Sequence, residues 1–135
     1  ITLSPTEQIK ELPVVHGFDF RYLGLFGFFG LLTLLLPSLA LYEEKMFRSG
    51  VTNWKGMIIN SLKFGFAHMI VGISIYIALL LSVVGFIYHL RYKYAYEKNN
   101  NEEEGLTAST SLHACYNLIL ISILTFLMFI IFRYA

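Results

Sequence analysis

Apolar residues run in long blocks along this chain, and polar residues collect at the block ends or at a few isolated positions inside them. The first block, 22–42 (YLGLFGFFGLLTLLLPSLALY), is long enough as a helix to cross a bilayer. Pro37 lacks a backbone donor and predicts a loosened or kinked helix one turn before Glu43 and Glu44. Residues 45–56 (KMFRSGVTNWKG) form an interfacial stretch, with Trp54 and Lys55 as headgroup anchors. Residues 57–90 would measure roughly 50 Å as one helix, against a hydrocarbon core of about 30 Å. They therefore divide near Gly72 into MIINSLKFGFAHMIV and ISIYIALLLSVVGFIYHL. Residues 91–107 include RYKYAYEKNNNEEEG, whose charge and asparagine content predict a solvated, disordered loop. The last block runs over 108–134.

The expected fold class is all-α, a polytopic transmembrane helical bundle of about four membrane helices. Residues 1–21 form a polar, interfacial lead-in, and 22–135 the membrane core.

Composition agrees with the bilayer. The 135 residues are 56% hydrophobic and 14% charged, with mean hydropathy +0.63, whereas soluble domains carry about 25% charged residues. A net charge of +1 without a basic stripe argues against a nucleic-acid partner. The one cysteine, Cys115, excludes an internal disulfide and is expected to pack as a small apolar residue. The start, ITLSPTEQIKELP, lacks the basic region and apolar core of a signal peptide. A chain that opens on Ile1 is expected to be processed or part of a longer one. With four spans, Lys45, Arg48, Lys55, Arg91, Lys93 and Lys98 share one side and Lys10, Arg21 and Arg133 the other. The positive-inside rule then turns Glu43 and the 91–107 loop toward the cytoplasm of a multi-pass protein.

Polar side chains inside membrane segments are costly and face a bundle interior or a watery cavity. Glu43, Glu44 and Arg48 close the first block; Phe64 and His68 are four apart in the second; His113 and Asn117 are four apart near the start of the last. Residues at i and i+4 share a helix face. Glu44 and Arg48 can therefore pair along the helix while Glu43, about 100° round, points elsewhere. Taken singly, these groups are ordinary: a solvated ion pair at a helix end, a packing histidine, an interhelical hydrogen bond. His16 and His89 are expected at the interface, and Lys63 to snorkel. Taken together, a glutamate, two histidines and an asparagine supply a base, a second proton handler and hydrogen-bond donors for an oxyanion. Glu43, His68 and His113 also form a possible zinc set, and both mechanisms stay open.

EEKMFR at 43–48 fits EExxxR, FGFAH at 64–68 fits FxxxH, and HACYN at 113–117 fits HxxxN. In order and setting these residues resemble the CAAX protease and bacteriocin-processing family (the Abi, or type II CAAX protease, family) over roughly residues 23–130. The resemblance implies a helical intramembrane endopeptidase acting on a membrane-associated or lipidated peptide or protein. It implies that Glu43 and His68 activate water, that His113 and Asn117 stabilise the oxyanion, and that Glu44, Arg48 and Phe64 support them. It requires no cofactor, although many members are labelled metalloproteases. The implied partners are membrane lipid, the substrate and, in a catalytically silent member acting as a subunit, scaffold or immunity protein, other membrane subunits. Prenyl-protein processing members have more membrane helices than the four drawn here.

Overall fold

Leucine, isoleucine and valine mostly point outward in this protein, and small, aromatic and charged side chains fill many of its buried positions. A computed structural model describes residues 14–15 and 18–134. A two-residue strand, Val14–Val15 (β1), pairs antiparallel with Phe18–Asp19 (β2). Four helices follow: Phe20–Arg48 (α1), Trp54–Ala67 (α2) continued by a 3₁₀ turn at His68–Val71, Ile75–Asn99 (α3) and Glu102–Tyr134 (α4). The expected all-α class holds. Of these helices, α1, α3 and α4 are long and apolar enough to cross a membrane. Four helices are present as expected; α2, with 14 residues, spans about 21 Å before its 3₁₀ continuation and is shorter than the other three. Most of the expected lead-in, with Lys10 and His16, lies outside the described residues.

Two boundaries depart from expectation for local reasons. Helix α1 continues through Pro37 and past the end of its apolar block to Arg48, because Glu44 and Arg48 are buried and pair one turn apart. The expected loop over 91–107 is instead helical apart from a short turn. Tyr92 and Ala95 are buried, so α3 has packing that holds it beyond the apolar run, and Lys93 pairs with Glu97 along it. Asn100 adopts a left-handed φ of 48° and closes the helix through its N–H to the Tyr96 carbonyl. The Asn101 side chain then accepts from the Glu103 N–H at 2.9 Å. Glu102, Glu103 and Glu104 fill the first turn of α4, where carboxylates favour the positive end of the helix dipole. The turn expected near Gly72 is present: Gly72 ends the 3₁₀ segment at φ +87°, a conformation costly for residues with a Cβ.

The chain divides into two compact units. One comprises α1 up to Leu35 and α4 from Asn117 onward. In it, Tyr22 packs on Phe129 and Phe132, with ring centroids 5.6 and 6.4 Å apart. The other, Leu36–Tyr116, holds the end of α1, all of α2 and α3, and the start of α4. Here α3 buries Ala78, Ser82, Gly85, Tyr88, His89, Tyr92 and Ala95, a stripe at helical spacing. α4 buries Gly105, Leu106, Ser109 and His113. Small residues at such positions let helix backbones approach closely when no hydrophobic force drives them together. A Cβ on Gly65 would lie 2.7 Å from the Ser82 nitrogen and would also meet the Ala78 carbonyl oxygen, so α2 and α3 touch backbone to backbone there.

Candidate active site

The end of α1 brings two carboxylates and a guanidinium into the second unit. Glu44 and Arg48, one turn apart, are both 0% exposed, so the expectation of a solvated surface pair is overturned. Arg48 Nη1 lies 3.1 Å from Glu44 Oε1, but the contact is not aligned as a hydrogen bond, and Nη1 and Nε have no hydrogen-bond partner. Nη2 donates to the Gly85 carbonyl at 3.2 Å. The guanidinium carbon lies 4.4 Å from the Phe64 ring centroid and 5.5 Å from that of Tyr88. Phe64 is therefore more than a spacer in its motif, since it supplies an aromatic face to a buried cation. Gly85 makes room for this packing, because a Cβ there would come within 2.6 Å of Phe64 Cδ1 and 3.2 Å of Arg48 Nη2.

Helix α4 contributes His113, 2% exposed. Its Nδ1 is 2.8 Å from Glu44 Oε1 and its Nε2 is 3.7 Å from Glu43 Oε2. The Tyr88 ring stacks on the imidazole at 4.6 Å with 21° between planes, and Phe64 meets it edge-on at 5.6 Å. Glu43 is less enclosed than Glu44, with 32% of its side chain exposed, yet its Oε2 is buried without a hydrogen-bond partner. The expected division of the two glutamates is present: Glu44 beside arginine, Glu43 directed elsewhere.

His68 begins the 3₁₀ segment after α2. Its Nδ1 is 2.8 Å from the Phe64 carbonyl, which leaves Nε2 as the ring nitrogen without that tie. Glu43 and His68 line one cleft of about 250 Å³, walled by Met46, Phe47, Ala67 and Val71. Asn60 donates to the Phe47 carbonyl at 2.9 Å and fixes α2 against the end of α1. Asn117 belongs to the other compact unit and is placed only by its position one turn after His113. The structure thus brings Glu43, Glu44, Arg48, Phe64, His68 and His113 into one unit.

Among the described residues, no three His, Cys, Asp or Glu side chains are arranged to hold a metal ion. Of the expected zinc set, Glu43 lies 3.7 Å from His113 Nε2 and shares a cleft with His68, while His113 Nδ1 meets Glu44.

Sequence reasoning missed Tyr88, Gly85 and His89. His89 is fully buried rather than interfacial, and Tyr92, also buried, accepts from the Gly50 N–H at 3.0 Å. The signal that finds them is the small-and-aromatic stripe from Ala78 to Ala95. Cys115, expected in packing, is exposed. No family model matches the chain, and no curated protein and no solved structure matches it either.

Proposed function

We propose that the protein is an intramembrane endopeptidase of the CAAX protease and bacteriocin-processing type. It hydrolyses a peptide bond in a membrane-associated or lipidated peptide or protein. The observation that carries this reading is the cleft shared by Glu43 and His68, which come from different helices. Glu43 is 32% exposed and lines the cleft, so its carboxylate is open to water, as a general base requires. Glu43 takes the water proton with His68 beside it, the water oxygen bonds to the scissile carbonyl carbon, and the C–N bond then breaks with the amine taking the proton. By the resemblance, His113 and Asn117 serve the oxyanion. Arg48, Glu44 and Phe64 hold the end of α1 in place. The protein is multi-pass on this reading. Gly50 bonds to Tyr92 and Ser49 to Glu102, so the Glu43 end lies beside the α3–α4 turn. On this reading the positive-inside rule turns both toward the cytoplasm, with Lys45, Arg48, Lys55, Arg91, Lys93 and Lys98.

The test is turnover of membrane-associated and lipidated peptides by purified protein in lipid. Glu43→Ala and His68→Ala are each expected to abolish it while insertion and folding persist. Retained turnover in Glu43→Ala removes the proposed base.

A second reading is favoured by one observation: Glu44, Arg48 and His113 are buried and join α1, α3 and α4. A catalytically silent family member can use the same polar core to hold a membrane subunit or scaffold together. It predicts that substitutions in the motifs change assembly with other membrane subunits and leave no proteolytic defect.

A further inference from the structure

We propose that the groove between α2 and α3 binds one acyl chain of an anionic phospholipid, whose headgroup is held by Lys55 at the groove's mouth. The proposal goes beyond the protease reading and stands apart from it, since lipid binding here requires no turnover.

The groove has a volume of about 500 Å³. Its floor is Ser61 on α2 and Ser82 on α3, which are 3% and 6% exposed. Ile58 and Leu62 form one wall, Leu79 and Val83 the other, and all four are exposed. Two serines stand where the sequence around them is apolar, and that substitution of small for large opens the space. Both floor hydroxyls are already committed. Ser61 donates to the Met57 carbonyl at 2.6 Å and Ser82 to the Ala78 carbonyl at 2.9 Å. The lining therefore presents no free side-chain donor, whereas sites that orient polar ligands hold a few convergent polar groups. Hydrocarbon is the chemistry that fits.

The groove also has a polar end. Phe86 closes it, and the Phe86 ring lies 6.3 Å from that of Trp54, centroid to centroid. Trp54 opens α2 and is 58% exposed, and an indole at a helix end favours the headgroup level of a bilayer. Lys55, Ile58 and Leu62 share one face of α2, because residues three and four apart are neighbours on a helix. Lys55 thus sits one turn above the wall of the groove. It is exposed, and among the described residues no carboxylate forms an ion pair with it. A lone cation at headgroup depth, above a hydrocarbon-lined groove, complements an anionic headgroup with its chain running inward. A second transmembrane helix would fill the groove without using that charge.

Trp54 is the one tryptophan of the chain, so its fluorescence reports on this site. The experiment places the full chain in phosphatidylcholine vesicles containing a minor share of phosphatidylglycerol. Bromine, a quencher of indole, is carried near the glycerol end of the acyl chains of one lipid or the other. Quenching is expected to report a share of phosphatidylglycerol at Trp54 about fivefold above its share in the vesicle, the effect of one lysine on an anionic lipid. Lys55→Gln should remove the preference, and Lys98→Gln, on the same side, should leave it. Val83→Phe, at an exposed wall position, should lower quenching by both lipids with helix content intact. Equal shares at Trp54 and in the vesicle overturn the proposal, as does an equal loss in Lys55→Gln and Lys98→Gln, or unchanged quenching in Val83→Phe. Relief of quenching by a farnesylated peptide would give the groove to a substrate chain. Relief as the ratio of protein to lipid rises would give it to a second copy. Either result also overturns the assignment to phospholipid.

Discussion

The guanidinium carbon of Arg48 lies 4.4 Å from the centre of the Phe64 ring, and both side chains are buried. The two residues belong to different motifs, EEKMFR and FGFAH, so the motifs meet face to face. A cation removed from water in this way depends on its carboxylate, on the Gly85 carbonyl and on ring faces.

Arg48→Met is accordingly expected to destabilise the second unit by about 3–5 kcal/mol, the usual cost of breaking a buried ion pair by removing one partner. Arg48→Lys should recover only part of this. It keeps a charge but presents no planar fork to Glu44, Gly85 and Phe64 together. Unfolding by heat or by titrated denaturing detergent checks both variants.

Glycines should divide into two groups. Gly65→Ala drives a Cβ toward the Ser82 nitrogen and the Ala78 carbonyl oxygen, forcing α2 and α3 apart, and should lower the unfolding midpoint sharply. Gly27 has open space around its Cβ position, so Gly27→Ala should leave the midpoint unchanged or raise it, with about 0.5–1 kcal/mol of helix propensity gained. The same unfolding assay compares them.

Tyr92→Phe removes the oxygen that accepts from the Gly50 N–H. A loss of about 1 kcal/mol is expected, the typical net value of one hydrogen bond. Faster amide exchange at Gly50 should accompany it, since the turn after α1 loses its tie to α3.

Much of this was legible in the apolar blocks, and the exceptions share a cause. The glycine turn at Gly72 and the pairing of Glu44 with Arg48 follow from local chemistry, which sequence displays. The continuation of α3 through 91–99 does not, because Tyr92 and Ala95 are held by packing that only the fold supplies. His89 is expected at the interface because buried stripes are usually apolar. In this protein the outward faces carry residues such as Leu80, Val83 and Ile87, while Ser82, Gly85 and His89 turn inward. Hydropathy alone therefore finds the helices and misses which side of each is inside. The contact of His113 with both glutamates joins positions 69 residues apart for Glu44, a relation no short spacing encodes.

Hydrolytic turnover is expected to survive exhaustive chelation, with no stoichiometric zinc by elemental analysis. Among the described residues, Glu43, His68 and His113 are not grouped as a metal site. Loss of turnover on chelation, restored by added zinc, would return Glu43, His68 and His113 to the role of ligands.

Water activation by Glu43 and His68 at one cleft should leave its mark as new amino termini, mapped by mass spectrometry in membranes holding equal amounts of wild type, Glu43→Gln or His68→Ala. A set of termini present with the wild type and absent with both variants is expected. Identical sets in all three membranes, or none with the wild type, would rule that activation out.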